Sequence, residues 1–106
     1  MVYMMDTVLV DPADAHRYLE LLETSYVPAA SKRGLTLVAC WHTPEDLGED
    51  ITVTTIWSFR DFAEWNDLRR KAVLDPAYLE WVEEATPLRK GGTRRFYYPT
   101  SFSPLK

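Results

Sequence analysis

The chain has 106 residues, and 12 Lys+Arg against 16 Asp+Glu give a formal net charge of 12 − 16 = −4. That length holds one domain. The 46% hydrophobic and 26% charged residues exclude a disordered chain, and the acidic balance argues against nucleic acid as a partner.

Val2 to Val10 forms the first predicted strand, apolar on both parities: Val2, Met4, Val8 and Val10 on one, Tyr3, Met5 and Leu9 on the other. Asp11-Pro12 then opens a helix, with Asp11 as N-cap and proline at the first helical position. Ala15, Tyr18, Leu19, Leu22 and Tyr26 make its apolar stripe. Pro28 is expected to kink or break this helix, and Gly34 to end it. Leu35 to His42 is a second strand, followed by an acidic loop over 43–50 and a third strand, Ile51 to Phe59. The short loop between them favours an antiparallel pair.

Asp61 starts a second helix, in which Phe62, Trp65 and Leu68 share a face. Asp75-Pro76 repeats the capping device ahead of a helix over Ala77 to Ala85, and Pro87 ends it. Gly91-Gly92 is expected to turn the chain into a fourth strand, Thr93 to Tyr98. Residues 98–106 are expected to form an extended C-terminal tail.

The order β-α-β-β-α-β predicts a single α+β domain over residues 1–106, a ferredoxin-like antiparallel sheet with helices on one face. Aromatic residues make up 13% of the chain, a surplus for a domain that buries only about two thirds of its unfolded surface. Strands apolar on both faces need a second cover, and the simplest is another copy related by a two-fold axis. A homodimer is therefore expected.

No apolar stretch approaches the roughly 20 residues of a membrane span. The opening MVYMMDTVLV has no basic n-region, unlike a signal peptide. Cys40 is alone, which excludes an intramolecular disulfide and fits a reducing cytoplasm. One cysteine and two histidines without close spacing give no metal site. No Gly-rich phosphate loop or nucleophile elbow is present, so no cofactor is expected.

Four residues are candidates for acid–base chemistry. His42 ends the second strand beside Trp41, where its reference pKa of about 6.5 suits a general base. The commoner role of such a histidine is a rim residue bonded to backbone or water. Tyr18 and Tyr26 lie on the inward stripe of the first helix, and each phenol can orient a carbonyl or donate a proton. Core packing is the commoner role for either taken alone. Asp6 interrupts an apolar strand, and a buried carboxylate needs a partner. Arg94 or Arg95 is the expected one. Trp57, Trp65 and Trp81 are candidates to wall a pocket for a flat ligand, with Arg95 to hold an anionic group, although tryptophans at such spacings are more often plain core.

Charge is unevenly spread. Residues 87–106 carry five cations and no acid, giving +5, and residues 1–86 carry 7 cations and 16 acids, giving −9. A basic strand end can hold a substrate carboxylate or phosphate, but charge complementarity across a subunit contact, or a solvated face, is the favoured reading, with the acidic 45–50 loop as a partner.

The segments Tyr26-Val27-Pro28, Trp41-His42-Thr43, Ile56-Trp57-Ser58-Phe59, Asp75-Pro76-Ala77-Tyr78 and the tail from Pro99 to Leu105 resemble the NIPSNAP family within the dimeric α/β barrel superfamily. The resemblance implies two subunits joining their sheets into a barrel. It also implies a hydrophobic pocket between sheet and helices, as in antibiotic-biosynthesis monooxygenases, polyketide cyclases and muconolactone isomerases. Two functional readings stay open on the sequence. One is a cofactor-independent enzyme that isomerises, cyclises or oxygenates a hydrophobic aromatic or polyketide-like substrate. The other is a non-catalytic binding or scaffold protein. Haem binding, known among superfamily relatives, would need His16 or His42 as axial ligand, and neither is well placed.

Overall fold

The computed structural model describes residues 1–106. Four strands form one antiparallel sheet: β1 (Val2–Val10), β2 (Thr36–His42), β3 (Ile51–Phe59) and β4 (Arg89–Tyr97), in the order β2-β3-β1-β4. Four helices accompany it: α1 (Pro12–Leu21), α2 (Val27–Arg33), α3 (Phe62–Val73) and α4 (Pro76–Ala85). The fold is the expected ferredoxin-like α+β arrangement. Its thinnest dimension, 19 Å, has room for one sheet and one helical layer.

The core follows from strand alternation. Val2, Met4, Val8 and Val10 of β1 and Ile51, Val53, Thr55, Trp57 and Phe59 of β3 are all buried on the helix side. Between them sits Asp6, which the same parity places on that side. The opposite face carries Tyr3, Met5 and Ile56, half-buried, with Leu9, Trp41 and Tyr97 exposed. No helix covers it.

Two β-bulges alter the alternation. In β2, Leu37 pairs with Trp57 but Ala39 pairs with Ile56, so Val38 is the additional residue and every later side chain of β2 changes face. In β4, Gly91 pairs with Leu9 and Arg89 pairs with Val10, so Lys90 is the additional residue. The Gly91-Gly92 pair is thus not a turn. Both glycines lie inside a strand that starts four residues earlier than expected, because extended backbone from Arg89 onward pairs with the end of β1.

Pro28 does not break the first helix either. Proline removes an N–H and crowds the carbonyl four residues earlier, here that of Thr24. A π turn over Leu22–Tyr26 widens the helix just before it, and the Val27 amide bonds to the Leu22 carbonyl five residues back. The Thr24 hydroxyl donates to the Glu20 carbonyl at 2.7 Å. Gly34 ends α2 as expected. Its φ of 122° disfavours any other residue, and an added Cβ would lie 3.3 Å from Leu68 Cδ2.

Three aspartates cap helices. Asp11 accepts from the Ala13 amide at 2.9 Å, Asp61 from the Glu64 amide at 2.9 Å and Asp75 from the Ala77 amide at 3.0 Å. Asp75 has a second role: it accepts from Arg33 Nη1 at 3.1 Å, and the Arg33 side chain is only 8% exposed. Removing Asp75 therefore strands a buried cation as well as a helix end. Asp11→Ala is expected to lower stability by about 1 kcal/mol, and Asp75→Ala by about 2–3 kcal/mol, both measured by urea unfolding. Equal losses would mean that the Arg33 pair contributes nothing.

Candidate functional site

A cavity of about 430 Å³ opens between the sheet and the helices. Its floor is β1, β3 and β4, contributing Asp6, Val8, Val53, Thr55, Gly92 and Arg94. Its walls are Tyr18, Leu22 and Tyr26 from the first helix and Tyr78, Trp81, Val82 and Ala85 from α4, with Thr86 and Arg89 at the connection to β4. The π turn serves this wall. Tyr18, Leu22 and Tyr26 are spaced by four residues, a spacing that drifts about 40° per step in a regular α-helix. A wider turn reduces the drift, and all three side chains reach the same cavity.

The aromatic wall is a connected stack. Tyr18 and Trp81 lie 5.6 Å apart between ring centres, Trp81 and Tyr26 5.1 Å, and Tyr26 meets Trp57 edge-on at 5.7 Å. Trp57 is fully buried beneath Tyr26, and its indole N–H has no protein acceptor. Trp65 belongs to a second cluster, stacked on Phe59 at 5.5 Å with Arg94 above its ring.

Asp6 is answered by Arg94, which sits directly opposite it on β4. The guanidinium donates from Nε to Oδ1 at 2.7 Å and from Nη2 to Oδ2 at 3.0 Å, a bidentate pair. The Asp6 side chain is 17% exposed and that of Arg94 43%. Burial by itself would lower the Arg94 guanidinium, but the hydrogen bond and charge of Asp6 outweigh it and hold it above its ordinary value. Burial pushes the Tyr18 phenol up to about 12, with Arg89 pulling it down and Asp6 pushing it further up. Burial likewise raises Tyr26, against the pull of Arg94. At neutral pH both phenols are therefore neutral donors.

The structure brings Asp6, Tyr18, Tyr26 and Trp81 to one cavity, places Trp57 beneath it and Trp65 beside it. His42 and Arg95 lie elsewhere. His42 is exposed at the end of the edge strand β2, and its Nδ1–H donates to the Thr43 carbonyl at 2.8 Å. Arg95 pairs with Met5 on the uncovered sheet face, beside Thr7, Thr93 and Tyr97. Cys40 also falls on the helix side after the β2 bulge, and burial raises its thiol. Sequence reasoning missed Arg89, Thr55, Tyr78 and Gly92 as cavity residues. The Asp-Pro cap before Tyr78 fixes where α4 begins and so marked that residue's face. Nothing in the sequence marked Arg89, because its face depends on the bulge at Lys90. No three His, Cys, Asp or Glu side chains converge as a metal site. No helix is long and apolar enough to cross a membrane.

The NIPSNAP family model matches residues 3–104. No curated protein matches the sequence. Among solved structures, a NIPSNAP family protein from Agrobacterium tumefaciens superposes with a TM-score of 0.87 at 21% identity, covering 100% of this chain and 94% of that one. A NIPSNAP domain protein from Burkholderia xenovorans gives 0.85 at 19% identity, covering 98% and 99%. A putative antibiotic biosynthesis monooxygenase from Nitrosomonas europaea gives 0.70 at 9% identity, covering 93% and 98%. At such identities the superpositions establish a shared fold and no shared chemistry.

The raised Tyr18 phenol has a measurable consequence. Its folded pKa lies above the ordinary value of 10, so its contribution to stability is complete below pH 10 and is lost as pH rises toward 12. An ultraviolet phenolate titration is expected to show one tyrosine ionising near pH 12 that is missing in Tyr18→Phe. Unfolding free energy should fall more steeply from pH 10 to 12 in the unsubstituted protein than in the variant. A Tyr18 signal near pH 10 would contradict the burial argument.

Proposed function

The chain belongs to the NIPSNAP family, and from that premise we propose that it binds a small hydrophobic ring compound in the cavity and moves a proton on it without a cofactor. The observation that carries this reading is the Asp6–Arg94 pair set into a pocket walled by aromatic and aliphatic side chains, with two neutral phenols lining it. Isomerisation or cyclisation fits these groups. Asp6 takes a proton from the carbon next to a carbonyl, and the C–H electron pair becomes the enolate. Tyr18 or Tyr26 donates a hydrogen bond to the enolate oxygen, and the proton returns at another carbon or the enolate attacks a second carbonyl. Arg94 positions the carboxylate through both of its oxygens. The fold shared with a putative monooxygenase supports a small organic substrate in this position.

The test uses 2-tetralone, a bicyclic ketone with enolisable protons, followed by NMR in deuterium oxide. The protein is expected to speed exchange at the activated carbon, and Asp6→Asn to lose that acceleration by at least about a hundredfold while still binding the ketone. Binding without any acceleration would favour the second reading, a non-catalytic binding protein using the same cavity.

The same proposal includes a homodimer. The uncovered sheet face presents Met5, Ile56, Leu9, Trp41 and Tyr97, and a second copy would cover it by two-fold pairing. Light scattering is expected to give twice the chain mass of 12.3 kDa. Trp41→Glu should shift the protein toward monomer with its fold intact by circular dichroism. A monomer at micromolar concentration for the unsubstituted protein would remove the dimer.

A further inference from the structure

Two guanidiniums and one carboxylate line the cavity, a formal balance of +1. The charge of that carboxylate is already matched, because Arg94 donates to both oxygens of Asp6. Arg89 faces the same space and makes no ion pair or side-chain hydrogen bond with the rest of the chain. Three features set it there. The bulge in β4 puts Arg89 opposite buried Val10, a position that regular pairing would give to Lys90. Lys90 is diverted to Asp50, at 2.9 Å.

Gly92 makes the seat for the guanidinium. Its φ is not in the left-handed region, so conformation does not require glycine there. What glycine provides is room for the guanidinium in this position: an added Cβ would lie 2.7 Å from Arg89 Nη2, displacing that side-chain end, and 3.0 Å from the Thr7 carbonyl oxygen. The Arg89 guanidinium thus rests on bare backbone at the cavity floor. Its charge also reaches the Tyr18 phenol across the cavity.

We infer that the ligand of this cavity is an organic monoanion, an apolar ring bearing one carboxylate, with the carboxylate on Arg89 and the ring between Tyr18, Tyr26 and Trp81. This rests on the cavity being the binding site, as proposed above. One free guanidinium matches one carboxylate in a planar, two-bond contact. A dianionic phosphate fits less well. One free guanidinium would leave the second charge of a phosphate unmatched.

Isothermal titration with 2-naphthoate and its neutral counterpart 2-naphthamide, at pH 7.5 and low salt, separates the two claims. The protein is expected to bind the carboxylate about tenfold more tightly than the amide, and the preference should weaken with added salt. Arg89→Gln, a change at an exposed side chain, should abolish the preference by weakening carboxylate binding about tenfold. Arg89→Lys should retain part of the preference. Equal binding of the two compounds, or a preference that survives in Arg89→Gln, would overturn the anion site while leaving the cavity as a binding site. Failure of both compounds to bind would overturn the cavity reading and the anion site with it.

Discussion

A four-stranded sheet covered by helices on one face must sort its side chains by parity, and β1 is the strand where that sorting is most demanding. It lies in the middle of the sheet, between β3 and β4. Every even residue from Val2 to Val10 points at the helices, and four of the five are buried aliphatic or thioether side chains. The fifth is Asp6. A carboxylate in that row is costly unless another group meets it, and the register of β4 sets Arg94 directly opposite. The ion pair and the cavity are thus linked. The helices cannot close over a charged pair as they close over Val2 and Met4, and the space that remains is walled by what α1 and α4 present.

What those helices present is aromatic, and the arrangement depends on a local accommodation to Pro28. Proline in a helix interior normally costs a hydrogen bond and a steric clash. Here the π turn absorbs both, and the widened turn holds Tyr26 over Trp57 and against Trp81. The edge-on and tilted contacts among these rings fix the wall without filling the cavity. Much of the aromatic surplus in the composition is accounted for within the chain. Trp41 and Tyr97 lie exposed on the uncovered sheet face.

The elements themselves were legible in the sequence because their signals are local. Asp-Pro pairs marked the starts of α1 and α4, Asp61 marked α3, and Gly34 marked the end of α2. Asp6 stood out as a charge in an apolar strand, and its partner was narrowed to two adjacent arginines. Choosing between Arg94 and Arg95 needed the pairing register, since neighbouring residues of a strand face opposite ways. The same limit explains His42 and Arg89. Their faces are set by bulges at Val38 and Lys90: no glycine or proline adjoins the first, and the glycines that follow the second read as a turn. Gly91-Gly92 misled in the other direction: two adjacent glycines suggest a turn, yet Gly92 answers a need for space under a guanidinium rather than a need for a bend.

The uneven charge takes on a sharper meaning once each cation of β4 is followed to its partner. Arg94 is matched to Asp6 inside the cavity, and Lys90 to Asp50 from the acidic loop. Both partners belong to the acidic part of the chain, so two of the five cations in the basic part are matched within one molecule. Arg95 is left on the uncovered sheet face and Arg89 at the cavity floor. An arginine without a partner on an open surface needs no account, because water solvates it. Arg89 is exposed as well, but a bulge sets it onto the one strand glycine that leaves it room, at the edge of a space lined largely by rings and aliphatic side chains. Of the charges that folding leaves unmatched, the one on Arg89 therefore falls where a ligand of the cavity would meet it.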